Sequence, residues 1–293
     1  MNKSDIDIVI PWVNSNDPEW QKKCLFWKKQ SGGEADPSRF RDSGCFNYWF
    51  RCIETNCPWV RQIVLILASP SQIPSWLNIN NTKLRIVFHN EFIPSTELPT
   101  FNSSVINCHV PFIPHLSEHY LLFNDDMFVV KPMLPTDWFI DGIPVQWNMH
   151  EKYRRNGSWS ENIINSKEIV SNIFHFTCDS NPEHGPIANI KSLNLFLWSL
   201  QQYNIITALS NSRFRTPKNV TDWMFFFFST SMEMYIHRAH SIVDYRGNEN
   251  CKISNKPISC FNDTFLIKDY DAYCKTMRRT LNRVVPNKSS FEK

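Results

Sequence analysis

Glycine is scarce in this chain, with 7 residues among 293, whereas proline contributes 18. No stretch has the glycine spacing of a P-loop or of a dinucleotide-binding turn, in which glycines let the backbone approach a phosphate. The sequence therefore excludes a nucleotide site of either type. It also predicts loops that are stiff rather than flexible, because proline fixes its own backbone angle.

A large excess of charge of one sign is missing as well. Lys and Arg number 31 against 28 Asp and Glu, which gives a formal net charge of +3 and a pI near 8.3. Nucleic-acid-binding domains carry strongly basic patches, so no nucleic-acid partner is expected. Internal repeats and low-complexity tracts are absent too. The composition is that of an ordinary globular protein.

The nine cysteines show no C-x-x-C spacing and no histidine-rich partner spacing typical of zinc sites. Reduced thiols in a cytoplasm are therefore expected. Asp5 and Asp7 interrupt the first apolar run, which argues against a signal peptide. The most apolar later window, residues 223–236, is too short to span a membrane. We expect a cytoplasmic protein, with peripheral membrane association left open and no indication of oligomeric state.

Short apolar runs rich in Val and Ile are typical of strands buried on both faces. They occupy residues 5–13, 61–68, 83–89 and 119–124. Helix-like spacing lies between them at 17–30 and 47–56, and Asp17 is a plausible helix cap. This alternation predicts an α/β fold with a mostly parallel sheet flanked by helices over residues 1–150.

The second half of the chain is predicted to be mainly helical. Helices are expected over residues 189–203, 219–239 and 269–285. We expect one catalytic domain over residues 1–293, in which the part from 151 to 293 packs on the sheet and completes the active site.

Two adjacent carboxylates, Asp125 and Asp126, interrupt an apolar stretch directly after the fourth predicted strand. Ligands of parallel α/β sheets bind beyond the carboxyl ends of the strands. Carboxylates there suit a hard divalent cation, Mg²⁺ or Mn²⁺, which also binds substrate phosphates. An Asp-Asp turn at the tip of a hairpin is the alternative, and the dipeptide alone does not decide between them.

Three further features suggest chemistry. His184 lies in the loop "PEHGP", which we expect just before a helix, where it can act as an acid, as a base or as a hydrogen-bond donor to phosphate. A loop histidine is more often a plain surface residue. Arg213 and Arg215 alternate in "SRFRTP", where guanidinium groups can bind phosphate oxygens with two hydrogen bonds. Arg51 lies inside an aromatic helix and needs an anionic partner.

The chain resembles the Stealth family of sugar-1-phosphate transferases in four blocks that follow one another in the family's order. The first is "DIDIVIPWVNSNDPEW", and the second runs from "RDSGCFNYWFRCIETN" to "HYLLFNDDMFVVKP". The third comprises "HGP" and "RFRTPKNVTDW", and the fourth comprises "ISCFNDT" and "VVPNKSSFEK". The blocks cover most of the chain.

The resemblance implies a GT-A-like fold and an enzyme of surface polysaccharide synthesis, such as capsule synthesis. The compact length, without inserted domains, leads us to expect a bacterial enzyme. The resemblance also implies a divalent metal, and transfer of a sugar with its inner phosphate from a nucleotide diphosphate sugar, with UDP expected, to a glycan hydroxyl. The metal would be held by Asp125 and Asp126, and His184 and Arg215 would act at the reacting phosphate. The residues implied in donor binding are Trp12, Asn14, Asp17, Arg51, Gln72, Asn102 and Arg213. Asn262 and Asp263 would close the site in an unassigned role.

The sequence also departs from the family pattern. Asn107 stands where the family commonly has Glu, Pro70 where Asp is common, and Asn47 where Arg is common. Because an amide cannot act as a base and carries no charge, these changes leave the donor and acceptor open. Two other functions stay open. An ordinary glycosyltransferase would use the same metal and donor but attack the sugar carbon, and Asn107 leaves open a protein that binds nucleotide sugars or glycans without catalysis.

Overall fold

The computed structural model describes residues 5–31, 36–149, 157–175, 180–245, 251–263 and 267–293. Its strands are β1 (Ile6–Pro11), β2 (Gln62–Leu67), β3 (Leu84–Phe88), β4 (His119–Leu122), β5 (Met127–Val129), β6 (Phe139–Ile140), β7 (Ile143–Met149), β8 (Asn181–Pro182), β9 (Ile187–Ile190), β10 (Ile236–Arg238), β11 (Val243–Tyr245) and β12 (Ile258–Cys260). Its α-helices are α1 (Pro18–Ser31), α2 (Phe46–Asn56), α3 (Ser103–His109), α4 (Ser158–Phe174), α5 (Lys191–Leu209), α6 (Trp223–Ser231) and α7 (Tyr270–Val284).

A five-stranded sheet in the order β3-β2-β1-β4-β9 forms the centre of the molecule. Strands β1 to β4 are parallel, with Ile8 paired to Ile63 on one side and to Leu121 on the other. Strand β9 closes the β4 edge in the antiparallel direction, where Ala188 pairs with Leu121. The α/β fold with a mostly parallel sheet is therefore confirmed, and the four predicted strands are β1 to β4.

The two faces of this sheet contact different helices, because successive side chains of a strand lie on opposite faces. Ile6, Ile8 and Ile10 of β1 belong to a buried cluster that includes residues of α2 and α7. Val9 belongs to a second cluster with residues of α3, α4, α5 and α6. A sheet covered by helices on both faces explains why its strands read as nearly continuous apolar runs.

Helices α1 and α2 confirm the predictions for residues 17–30 and 47–56. Asp17 accepts a hydrogen bond from the backbone N–H of Glu19 at 2.9 Å, in keeping with its expected place at the start of α1. Only Trp20 of α1 is buried, so this helix shows most of its surface to solvent.

The second half contains helices α4 to α7 but also strands that the sequence analysis did not predict. The predicted helix over 189–203 begins at Lys191, because residues up to Ile190 form β9. The predicted helix over 219–239 is α6, which ends at Ser231; Glu233 is in the left-handed region at φ 55°, and β10 follows. No helix in the described ranges is long and apolar enough to cross a membrane.

Candidate active site

The strand order of the central sheet reverses between β1 and β4, because β2 and β3 lie on one side of β1 and β4 lies on the other. At such a point the loops that follow the two strands separate and leave a crevice. Trp12 follows β1, and Asn124, Asp125 and Asp126 follow β4. These residues line a cavity of about 390 Å³, which we call cavity A.

Asp125 and Asp126 repel each other in this cavity. Asp125 is open to the cavity, but the protein around the cavity removes bulk water, and this desolvation together with Asp126 raises the pKa of Asp125 to about 7. Desolvation also raises the pKa of Asp126, although His184 opposes that shift. Desolvation is therefore the largest cause of the raised pKa in both carboxylates, and His184 compensates it in part at Asp126.

The Asp126 side chain fits a hard divalent cation. Its Oδ1 atom is buried and has no hydrogen-bond partner among the described residues, a condition that is rare unless a ligand or an ion satisfies the atom. One ligand atom each from Asp126, His184 and Cys260 lies within 4.8 Å of the others. Since burial raises the pKa of the Cys260 thiol well above its ordinary value, the cysteine stays protonated and suits Mg²⁺ poorly. That the cation is held by Asp125 and Asp126 remains a prediction.

His184 lies between β8 and β9, so the expectation that a helix follows it directly is wrong. Its ring meets the ring of Tyr245 edge-on, with centroids 5.3 Å apart. The neighbouring Glu183 accepts hydrogen bonds from the backbone N–H groups of Ile242 at 2.9 Å and Val243 at 3.1 Å. These bonds fix the histidine loop against β11.

Arg215 links cavity A to a second cavity of about 820 Å³, which we call cavity B. Its Nη2 donates to Ser103 Oγ at 2.8 Å, and its guanidinium lies 4.9 Å from the ring centroid of Trp159. The residues that line both cavities are Ser103, Asn124, His184, Arg215 and Asn262. A group in cavity A and a group in cavity B can therefore meet beside the histidine and the arginine.

Asn107 lines cavity B, away from the acid pair. Its amide donates to Asp222 Oδ1 at 3.3 Å, and Thr221 Oγ1 donates to the same oxygen at 3.0 Å. Burial raises the pKa of Asp222, and the two hydrogen bonds oppose the shift.

Three residues predicted to bind the donor line neither cavity: Asn14, Asp17 and Gln72. They bind each other instead. Gln72 accepts from the backbone N–H of Asn14 at 2.7 Å and donates to Asp17 Oδ2 at 2.7 Å. This network connects the loop after β1 to the loop after β2. The three side chains thus bind within the protein and do not line cavity A.

Asn102 and Arg213 also lie outside the two cavities. Asn102 caps α3 by accepting from the backbone N–H of Ser104 at 3.0 Å, and its amide donates to Ser212 O and Asn219 Oδ1. Arg213 lies 4.7 Å from the ring centroid of Trp27. Both residues fix the segment that carries Arg215.

Arg51 lines neither cavity, so its prediction as a donor-binding residue is not supported by its position. It forms a two-point ion pair with Glu292, with distances of 2.7 and 2.8 Å, and donates to the carbonyl of Pro286 at 3.2 Å. The anionic partner expected from the sequence is therefore a carboxylate of the C-terminal segment.

Cavity A also contains residues that sequence reasoning missed, among them Arg39, Arg41 and Tyr270. Arg41 binds Asp263 with distances of 2.5 and 2.8 Å and lies 4.0 Å from the ring centroid of Tyr270. Asn262 donates to the Tyr245 hydroxyl. The two alternating arginines of "SRFRD" could have indicated this part of the site, because they repeat the pattern that singled out Arg213 and Arg215.

Comparisons with known proteins agree with the resemblance seen in the sequence. The family model of Stealth protein CR1, conserved region 1, matches residues 4–31, and that of Stealth protein CR2, conserved region 2, matches residues 39–145.

A similar solved structure is that of the galactosyltransferase LgtC in complex with donor and acceptor sugar analogs. It has 10% identity and a TM-score of 0.42, over 95% of this chain and 96% of that one.

Two curated relatives match over the full length, and a third matches over part of it. The receptor polysaccharide phosphotransferase WefC of Streptococcus oralis is 31% identical and covers 100% of both chains. The capsular polysaccharide phosphotransferase WcwK of Streptococcus pneumoniae is 31% identical with the same coverage. The capsular polysaccharide phosphotransferase CpsJ of Streptococcus thermophilus is 43% identical over 47% of this chain and 59% of its own. The chain belongs to the Stealth family and is an enzyme of the phosphotransferase class.

Proposed function

We propose that this enzyme transfers a sugar-1-phosphate from a nucleotide diphosphate sugar to a hydroxyl of a bacterial surface glycan, such as a capsule precursor. The observation that carries the proposal is the meeting of cavities A and B at His184 and Arg215. A transfer between two substrates needs two binding spaces that open onto one reacting centre.

The donor is proposed to occupy cavity A. Trp12 lines it at the end of β1, and Arg39 and Arg41 line it as well, with Arg41 already paired to Asp263. Guanidinium groups bind phosphate oxygens. A UDP-sugar is our choice of donor from the family resemblance. Mg²⁺ or Mn²⁺, held by Asp125 and Asp126, would supply positive charge to the pyrophosphate oxygens.

The residues at the junction have separate roles in the proposed reaction. His184 accepts the proton of the acceptor hydroxyl. The acceptor oxygen then forms a bond to the phosphorus that bears the sugar, and the bond from that phosphorus to the bridging oxygen breaks. The nucleoside monophosphate leaves with the bridging oxygen. Arg215, fixed by Ser103 and Trp159, stabilises the negative charge on the non-bridging oxygens.

The identity of the released nucleotide tests this proposal. The enzyme is incubated with a panel of UDP-sugars, an extract of bacterial glycan acceptors and Mg²⁺ or Mn²⁺, and the nucleotides are separated by chromatography. We expect acceptor-dependent release of UMP. Release of UDP instead would mean attack on the sugar carbon and would overturn the proposal. A parallel reaction with a chelator controls for the metal.

We also propose that the enzyme works in the cytoplasm at the inner face of the plasma membrane. Lys22, Leu25, Phe26 and Lys29 of α1 follow the i, i+3, i+4, i+7 spacing of one helix face and are all exposed, with Leu25 60% and Phe26 56% accessible. Lysines that flank exposed apolar side chains are typical of helices that lie on anionic bilayers. A soluble polyanion is the alternative partner for these lysines, but it would leave Leu25 and Phe26 in water. An anionic lipid surface therefore suits this face better.

A further inference from the structure

One wall of cavity B is built from buried polar side chains. Ser104 and Asn107 lie one turn apart on α3 and therefore on the same side of the helix. Asp222 precedes α6 and reaches the same wall. The three residues are 2%, 7% and 9% exposed, so each is at least nine-tenths buried while it lines the cavity.

Two atoms of this wall have no hydrogen-bond partner among the described residues, namely Ser104 Oγ and Asn107 Oδ1. The amide nitrogen of Asn107 is already used on Asp222, which fixes the orientation of its oxygen. A buried polar atom without a partner costs about 1–3 kcal/mol, so native proteins rarely keep one unless a ligand or a water satisfies it. The wall is therefore prepared for a ligand that brings hydroxyl groups.

Aromatic side chains form the adjoining wall. Trp159 and Trp223 meet edge-on with ring centroids 5.5 Å apart, and both line cavity B. Tyr245 lines it on the side of His184. Aromatic rings beside a few fixed polar atoms suit a ligand with one apolar face and several hydroxyls, which describes a pyranose ring.

The charges of the cavity indicate which kind of pyranose fits. Asp222 lies in the polar wall, and Glu183 and Asp244 line the cavity as well. The ammonium of Lys256 is bound to Ser241 Oγ at 2.6 Å and to Val243 O at 2.8 Å. Carboxylates outnumber the cations Arg215 and Lys256 in the lining of cavity B. A sugar acid or a sugar phosphate is therefore repelled, and an uncharged sugar is favoured.

We infer that cavity B is the acceptor subsite and binds an uncharged terminal pyranose of the acceptor glycan. In this site Asn107 Oδ1 accepts a hydrogen bond from one sugar hydroxyl, and Ser104 Oγ donates to or accepts from another. The inference rests on the proposed function for its link to catalysis, because His184 and Arg215 lie at the mouth that cavity B shares with cavity A. Asn107 thereby becomes a specificity residue of the acceptor site.

Binding can be measured without any catalysis. Methyl pyranosides of glucose, galactose, mannose and N-acetylglucosamine are tested with the wild type by saturation-transfer NMR, and the Kd of the best one is then measured for the variants. Ser104→Ala removes a hydroxyl that has no partner among the described residues, so we expect unchanged thermal stability. The loss of one hydrogen bond should weaken sugar binding about three- to tenfold. Asn107→Ala should weaken it at least as much.

Ser229→Ala is the matched control, because Ser229 is equally buried but its hydroxyl donates to Phe226 O at 3.0 Å within α6 and lines neither cavity. It should bind the sugar as the wild type does. If no pyranoside gives saturation transfer, or if Ser104→Ala and Asn107→Ala both bind like the wild type, the inference is wrong.

Kinetics separate this inference from the proposed function. With donor and acceptor present, Ser104→Ala should raise the acceptor KM and leave the donor KM unchanged. UMP release with an unchanged acceptor KM in both variants would overturn the acceptor subsite and leave phosphotransfer intact. Sugar binding that falls as expected, in a wild type that releases UDP, would support the subsite and overturn phosphotransfer.

Discussion

The thiol of Cys260 donates a hydrogen bond to Asp126, with Sγ 3.5 Å from Oδ2. This contact crosses from β12 to the loop after β4 and occupies one oxygen of the carboxylate. The other oxygen, Oδ1, is left without a partner among the described residues. Asp126 is thus fixed on one side and available on the other, which is the arrangement that a metal ligand requires.

Asp126→Asn should therefore abolish cation-dependent donor binding. We expect turnover to fall at least about 10²- to 10³-fold, because a neutral amide removes the charge that the cation needs. Calorimetry with a UDP-sugar, with and without Mg²⁺, measures the binding. Asp141→Asn, in the β6–β7 turn, makes the same chemical change outside both cavities and should behave as wild type. Full activity of Asp126→Asn after metal removal would contradict the metal assignment.

His184→Ala should remove chemistry and spare donor affinity. The ring lies at the junction of the two cavities, so its loss should reduce kcat by about 10²- to 10⁴-fold while the donor Kd changes by only a few-fold. Single-turnover rates and calorimetry separate the two quantities. His237→Ala, on the exposed face of β10, is the control. Weak donor binding with normal turnover would reverse the role proposed for His184.

Gly185 should not tolerate a side chain. A Cβ atom at this position would lie 2.5 Å from Cγ2 of Val243, and the stiff valine cannot turn away easily. Gly185→Ala should cost about 1–3 kcal/mol in the free energy of unfolding and should lower kcat by displacing the His184 loop. Urea unfolding and initial rates provide both measurements.

Two further variants identify the cause. Gly157→Ala places a Cβ where no atom lies within 4 Å, so it should leave stability and rate close to those of the wild type. Val243→Ala removes the clashing methyl group, and the Gly185→Ala/Val243→Ala double variant should recover part of the lost rate. An equal loss in the single and double variants would argue against the clash.

The Arg51–Glu292 pair should make stability depend on acidic pH. Burial would raise the pKa of Glu292, but hydrogen bonds from Arg51 and Ser289 outweigh it and lower the pKa to about 2 from the ordinary 4.5. A carboxylate with a lowered folded pKa adds stability above its unfolded pKa. That contribution is lost as the pH falls from 4.5 towards about 2.

Glu292→Gln should cost about 3–5 kcal/mol at neutral pH, since it leaves the Arg51 guanidinium without its buried counter-charge. The difference from the wild type should shrink as the pH is lowered. Urea unfolding at several pH values measures this, and Glu233→Gln in the exposed loop after α6 is the control. A difference that does not vary with pH would exclude this pair as its origin.

Helix α1 should bind anionic vesicles. We expect co-sedimentation with vesicles that contain phosphatidylglycerol, weaker binding at high salt, and none with pure phosphatidylcholine. Replacing Lys22 and Lys29 with Gln should weaken binding about 30-fold, at about 1 kcal/mol for each lysine. Lys275→Gln/Arg279→Gln on the exposed side of α7 removes the same charge elsewhere and should have little effect. Equal loss in both double variants would mean that binding is not specific to α1.

The first half of the fold could be predicted because its signals are local. Four apolar runs gave β1 to β4, and the polar residues after β1 and β4 indicated which edge of the sheet carries a cavity. Strand β9 was missed because Ile187–Ile190 is only four residues long and runs directly into α5. A short apolar segment beside a long helix has no periodicity of its own.

The candidate site was predictable in part, where residue chemistry and the family resemblance together singled out Asp125, Asp126, His184 and Arg215, which the structure brings to cavity A. It was not predictable where side chains bind each other over long sequence distances. Gln72 and Asp17 are 55 residues apart, and Arg51 and Glu292 are 241 apart. Nothing in the sequence shows that such polar groups are already satisfied within the protein.

The antiparallel strand β9 has a consequence for how the chain is made. During synthesis on a ribosome, β4 emerges some 65 residues before β9, so the edge of β4 that does not pair with β1 stays unpaired throughout that interval. The loop that carries His184 directly precedes β9, so the pairing of Ala188 with Leu121 helps to hold this loop beside both cavities. A newly made chain therefore becomes catalytically competent only after β9 has been synthesised and has paired with β4.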